Sequence, residues 1–130
     1  MRTSRSRNRI DVLIVDDDPD LRHDLRVLLE GEGYSCAEAE DGAEALNVIE
    51  QCTPRLALLD LMMPKADGLT VARHLRAKRQ TRGVHIQILT GRGDASARRA
   101  AEAAGCEAFL TKPFDVDDLL ATVSLAVHAG

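Results

Sequence analysis

The sequence predicts an α/β domain in which strand and helix alternate five times, with helices packed on both faces of a parallel sheet. Three observations lead there. Short, nearly continuous apolar runs alternate with segments of helical period. Such runs suit strands buried on both faces, as in parallel sheets covered by crossover helices. A length of 130 residues, with 45% hydrophobic and 29% charged residues, fits one globular domain and argues against disorder. Right-handed crossovers place helices on both sides of the sheet, so strand order reverses once, and ligands collect outside the carboxyl ends of the strands at that reversal.

The first run is Ile10 to Val15, ending in Asp16-Asp17-Asp18. Asp18 is suited to cap a helix that has Pro19 in its first turn, and Leu21, Leu25, Leu28 and Leu29 then recur at helical spacing until Gly31 and Gly33. A weaker second strand spans Tyr34 to Ala39, and Asp41-Gly42 opens a helix carrying Ala45, Leu46 and Ile49 that closes before Pro54. The third run, Leu56 to Leu59, ends in Asp60, and a turn with Pro64 and Asp67-Gly68 leads into a helix with Leu69, Ala72 and Leu75. Val84 to Leu89 forms the fourth run and ends in Thr90-Gly91. His85 and Gln87 make one side of that strand more polar than a buried strand should be. An alanine-rich helix, about Ala95 to Ala104, stops at Gly105. The fifth run, Ala108 to Thr111, ends in Lys112-Pro113. Asp115 caps the last helix, with Val116, Leu119, Leu120, Val123 and Val127 at helical spacing and Asp118 in the capping-box position.

Charge divides the chain at its start. Four arginines (Arg2, Arg5, Arg7, Arg9) and no acids lie in residues 1–9, read as a basic flexible tail, and residues 10–128 form the domain. Without the tail, 13 basic groups face 21 acidic ones, net −8. Such an acidic body does not bind phosphate backbones unaided, and with 2% aromatics and no Trp it has no base-stacking surface. No apolar run approaches a membrane span, and the opening residues lack the apolar core of a signal peptide. Cys36, Cys52 and Cys106 form an odd, widely spaced set, expected to be reduced thiols of a cytoplasmic protein. His23, His74 and His128 have no ligand spacing and are expected on the surface.

Parallel strands place their carboxyl ends on one edge, and four of the five runs end there in reactive groups: Asp16 and Asp17, Asp60, Thr90 and Lys112. Clustered carboxylates repel one another unless a cation sits among them. Oxygen ligands with open positions suit Mg²⁺, with Mn²⁺ an acceptable substitute. A hydroxyl and an ammonium nearby provide a donor and a positive charge for a phosphoryl group, and a carboxylate can itself be the nucleophile. The expected chemistry is Mg²⁺-dependent phosphoryl acceptance.

In their order and spacing, IVDDDPDLR (14–22), LLDLMMPKADG (58–68), ILTG (88–91) and FLTKPF (109–114) resemble the receiver domains of two-component response regulators, from Ile10 to about Val127. The resemblance implies a flavodoxin-like sheet of strand order 2-1-3-4-5. It makes Asp60 the phosphoacceptor, taking a phosphoryl group from a phosphohistidine on a histidine kinase or histidine phosphotransfer protein. It makes Asp17 a direct metal ligand, Asp16 a ligand acting through a metal-bound water, and the backbone carbonyl of Met62 a further ligand beside Asp60. Lys112 would bind the phosphoryl oxygens, and Lys112-Pro113 is commonly a cis peptide in this family. Thr90 is similar to the switch hydroxyl and Phe109 to the aromatic that turns inward. The face made by the fourth helix, fifth strand and fifth helix is the family's surface for a downstream target or a self-dimer, with no direct nucleic-acid or membrane contact expected.

Phosphorylation adds nearly two negative charges and three acceptor oxygens. Thr90 gains a bond by moving toward them, and the ring of Phe109 fills the space vacated, a two-state repacking. Two departures stand out. Gly91 replaces the usual alanine and should loosen the following loop. Met62 and Arg92 occupy the positions that in this family flank the attacking water, where long side chains are expected to slow self-dephosphorylation.

Other readings share parts of the pattern. Aspartyl-phosphate phosphohydrolases use an Asp nucleophile and Mg²⁺, but need a second acid where Met62 stands. A never-phosphorylated interaction module would be expected to lack part of the set Asp16, Asp17, Asp60, Thr90 and Lys112. The chain is expected to act as a stand-alone phosphoacceptor rather than an enzyme, the alternative being a receiver segment of a longer regulator or hybrid kinase.

Overall fold

The computed structural model describes residues 8–63 and 68–128. Its elements are β1 (Asn8–Val15), α1 (Pro19–Gly31), β2 (Cys36–Ala39), α2 (Gly42–Gln51), β3 (Cys52–Leu59), α3 (Gly68–Ala77), β4 (His85–Thr90), α4 (Ala95–Ala103), β5 (Ala108–Thr111) and α5 (Val116–Val127). The five strands are all parallel, in the order β2-β1-β3-β4-β5. Both the alternation and the expected strand order are present. The tail residues 1–7, and the turn residues Pro64 and Asp67, lie outside the described residues.

Strand limits differ from the apolar runs where backbone pairing continues without a hydrophobic signal. β1 begins at Asn8 because Asn8 and Arg9 pair with Cys52 and Thr53, which also extends β3 back to Cys52. Pro54 is tolerated inside β3 because pairing to β4 starts only at Leu56, so at Pro54 the ladder runs to β1 alone. β2 is shorter than expected: the Tyr34 N–H is bonded to the Leu29 carbonyl at 3.1 Å, closing α1 instead of starting a strand.

Aspartates set the helix starts. Asp18, Asp41, Asp94 and Asp115 each accept backbone N–H bonds from the first turn of the helix that follows. Among the described residues the Asp115 N–H donates no return bond to Asp118, whose side chain is one methylene shorter than Glu. In α2, Glu44 does reach back, to the Glu40 N–H at 2.9 Å.

Period-two alternation along the strands divides the core. Leu13, Val15, Ala57, Leu59, Ile86 and Ile88 pack beneath α2, α3 and α4, while Val12, Ile14, Leu56, Leu58 and Leu89 pack beneath α1 and α5. Truncating any fully buried leucine here, such as Leu59→Ala, costs about 2–5 kcal/mol.

The amino edge of the sheet is tied by Arg76 at the end of α3. Its guanidinium donates to the carbonyls of Arg82 (2.8 Å), Val84 (2.6 Å) and Gly105 (2.8 Å), and to the Glu107 carboxylate (2.6 Å). Gly105 adopts φ +90°, and a Cβ there would press on the Arg76 side chain. Glu107 also accepts from the Ile86 N–H at 2.8 Å and lies 3.2 Å from Nδ1 of His85. The polar side of β4 therefore divides: His85 is partnered, whereas Gln87, buried on the α5 side, has no partner for its amide nitrogen among the described residues.

Cys36, Cys52 and Cys106 are free thiols, the first buried and the other two half-buried. Burial pushes Cys36 and Cys106 up to about 11. His23 and His128 are exposed as expected, while His74 is half-buried in α3.

Candidate functional site

The strand ladders continue into the acids and fix them. The Asp16 N–H donates to the Ala39 carbonyl and the Asp60 N–H to the Val15 carbonyl, each at 3.1 Å. Asp60 thus stands beside Asp16 at the carboxyl edge between β1 and β3, where the strand order reverses. Asp16, Asp17 and Asp60 each offer a carboxylate oxygen within 4.8 Å of the others, with Asp16 and Asp60 buried and Asp17 exposed. This hard, oxygen-only donor set fits a divalent cation of the Mg²⁺ type.

Lys112 joins them from the end of β5. Its Nζ donates to Asp16 Oδ2 at 2.7 Å and to Asp60 Oδ2 at 3.1 Å. The other carboxylate oxygens are held locally: Asp16 Oδ1 accepts from the Asp18 N–H at 2.9 Å and Asp60 Oδ1 from the Met62 N–H at 3.0 Å. Burial raises the Asp16 carboxyl above its ordinary value, with the Lys112 bond acting against that rise. Burial opposes the Lys112 charge, but the Asp16 and Asp60 carboxylates outweigh it and raise the amine.

The backbone around the cluster leaves little slack. The Lys112 N–H donates to the Thr90 carbonyl at 2.8 Å, so the lysine and the hydroxyl residue are locked side by side. The Lys112-Pro113 peptide is cis, as the resemblance implied. A Cβ on Gly68 would strike the backbone carbonyl oxygen of Asp60, so only glycine lets α3 begin this close.

Thr90 is fully buried, and its Oγ1 accepts from the Arg92 N–H at 3.3 Å. Phe109 is half-buried and pairs in register with Ile88, which places it on the sheet face shared with Thr90, beneath α4. Met62 is 59% exposed and Arg92 is exposed, both at the rim. A Cβ on Gly91 would meet nothing within 4 Å, so the site has room for the alanine usual there.

Two supporting residues escaped sequence reasoning. Arg22 donates to the Asp16 carbonyl at 2.7 Å and to Glu38 at 3.0 Å, bracing the acidic loop from α1. Arg98 in α4 lies with its guanidinium carbon 4.5 Å from the centroid of the Phe109 ring. Arg22 lies within a quoted motif, yet its target is a backbone carbonyl, for which no side-chain pattern exists.

Comparison with known proteins accords with this geometry. Residues 12–124 match the family model of the response regulator receiver domain. The chain belongs to that family. Over 110 residues this receiver domain is 44% identical to the response regulator MprA of Mycobacterium sp. (strain KMS), covering 85% of this chain and 47% of that protein. It is 38% identical over 112 residues to the DNA-binding dual master transcriptional regulator RpaA of Synechocystis sp., covering 86% and 46%. The receiver domain therefore spans about half the length of the curated relatives it matches. Among solved structures, the chemotaxis protein CheY4 of Vibrio cholerae superposes with a TM-score of 0.84 at 27% identity, covering 93% of this chain and 99% of that one. A putative response regulator from Chloroflexus aurantiacus gives 0.84 at 34% identity, covering 94% and 98%. Among the described residues, no helix is long and apolar enough to cross a membrane.

Proposed function

We propose that Asp60 is the phosphoacceptor of a two-component phosphorelay in the cytoplasm. The observation that carries this reading is the convergence of Asp16, Asp17, Asp60 and Lys112, drawn from three separate strand ends, on one small acidic hollow. A carboxylate oxygen of Asp60 attacks the phosphorus of a phosphohistidine on a kinase or phosphotransfer partner. The new O–P bond forms as the P–N bond breaks, and the histidine nitrogen leaves with the electron pair and takes up a proton.

Asp16, Asp17 and Asp60, with the backbone carbonyl of Met62, would hold the metal, Asp17 as a direct ligand and Asp16 less directly. When bound, Mg²⁺ (or Mn²⁺) neutralises charge on the phosphoryl oxygens. Lys112 swings its ammonium from the two carboxylates to a phosphoryl oxygen, a charge-assisted bond. Thr90 Oγ1 moves from the Arg92 N–H toward another phosphoryl oxygen, and Phe109 turns into the space left behind. The altered face of α4, β5 and α5 then binds a target protein or a second copy. Small phosphodonors substitute for the partner, and hydrolysis of the acyl phosphate is slow.

Incubation with acetyl phosphate and Mg²⁺, followed by intact-mass spectrometry, tests this. A gain of one phosphoryl group that vanishes in Asp60→Ala is the expected result. An unmodified wild-type chain, or equal labelling of the variant, overturns it.

A further inference from the structure

We propose that Arg98 is a latch on the conformational switch, holding the Phe109 ring in its present orientation until the loop after β4 moves. The inference rests on the proposed switch role of Phe109 and adds a residue that no quoted motif contains. Arg98 is an exposed helix residue with no ion pair among the described residues, and its guanidinium is stacked over the Phe109 ring at 4.5 Å. A cation at that distance is attracted by the negative face of the ring. The ring edges a groove of about 260 Å³ bounded by Arg98, Ala101, Glu102, Cys106 and Ala108, so it has space on the outer side.

A continuous set of contacts connects this stack to the site. Thr90 Oγ1 accepts from the Arg92 N–H. The Arg92 side chain lies 3.3 Å from Asp94, and Asp94 caps α4 through the Ala97 N–H at 3.0 Å. Arg98 is the next residue along that first turn, and its own N–H donates to the Asp94 carbonyl at 3.1 Å. Drawing Thr90 toward a phosphoryl group breaks the first of these bonds and disturbs the cap, carrying the guanidinium off the ring. The latch therefore favours the unphosphorylated arrangement, and its release is coupled to the same displacement that opens space for Phe109.

The test uses the full chain labelled with 4-fluorophenylalanine and observed by fluorine NMR, with the two phenylalanine signals assigned through Phe114→Leu. Arg98→Met keeps the apolar stem and removes the charge, while Arg98→Lys keeps a cation. Without any phosphoryl analogue, Arg98→Met should move the Phe109 resonance toward its beryllofluoride-bound position, and beryllofluoride should bind about two- to fivefold more tightly. Arg98→Lys should remain near wild type. A Phe109 resonance and beryllofluoride affinity unchanged in Arg98→Met would overturn the latch, as would Arg98→Lys behaving like Arg98→Met. A wild-type chain that takes neither beryllofluoride nor a phosphoryl group would defeat the proposed function instead. In that case a Phe109 resonance that shifts in ligand-free Arg98→Met but not in Arg98→Lys would still support the latch, and one unmoved in Arg98→Met would overturn it.

Discussion

Lys112 Nζ lies 2.7 Å from Asp16 Oδ2, although the two residues are 96 positions apart in the chain. One ammonium is thereby placed against two buried carboxylates, with a third, Asp17, at the surface. Three negative charges against one positive leave the hollow short of two, the charge a divalent cation brings. The pair also preloads the lysine: the same Nζ that bridges Asp16 and Asp60 is within a short swing of any group added to Asp60.

Removing one acid should weaken the cation site without unfolding the domain. Asp17 is exposed and makes no hydrogen bond among the described residues, so Asp17→Asn should leave Tm near wild type. Its Mg²⁺ affinity by calorimetric titration should fall roughly tenfold or more. Unaltered Mg²⁺ binding would remove Asp17 from the ligand set.

Met62 and Arg92 stand at the rim with long, exposed side chains. If they screen the acyl phosphate from water, Met62→Asn and Arg92→Ala should each shorten its half-life roughly two- to tenfold, about 0.4–1.4 kcal/mol of barrier. The decay of the phosphorylated mass after removal of acetyl phosphate measures this, and equal half-lives would end the idea.

Arg76 should matter more for stability than any surface ion pair. Its guanidinium satisfies three backbone carbonyls and a carboxylate at once. Arg76→Ala leaves these acceptors without their donor, costing about 2–3 kcal/mol and lowering Tm by roughly 10 °C. Arg76→Lys should recover less than half, because an ammonium cannot span the same fork. Thermal unfolding of the three proteins checks both statements.

Glu38 gives a pH dependence with a defined sign. Burial pushes its carboxyl upward, but bonds from Arg22 and Arg26 prevail and hold it below its ordinary 4.5. A depressed carboxyl contributes stability that is complete above the unfolded value and is lost as pH falls through the folded one. Glu38→Gln should therefore cost about 1 kcal/mol at pH 7, with the difference shrinking steadily below pH 4.5. A gap between variant and wild type that stays constant down to pH 3 would contradict the assignment.

Much of the site was legible because parallel strands bring their carboxyl ends to one edge, so Asp16, Asp17, Asp60, Thr90 and Lys112 could be grouped from the ends of apolar runs alone. The Asp18 and Asp115 caps were equally readable, since capping is a contact between near neighbours in sequence. Strand limits were less so. β3 runs back through Pro54 to Cys52 because the backbone of β1 offers partners there, and backbone pairing has no side-chain signature.

The sequence by itself determined the periodicity, and with it the fold class, the helix starts and the edge on which the reactive groups lie. Tertiary structure alone decided the bond of Lys112 to Asp16 and Asp60, the span of Arg76 over two loops, and the stacking of Arg98 on Phe109. Those contacts depend on angles and distances between elements, which close packing fixes only after the helices have settled on the two faces of the sheet.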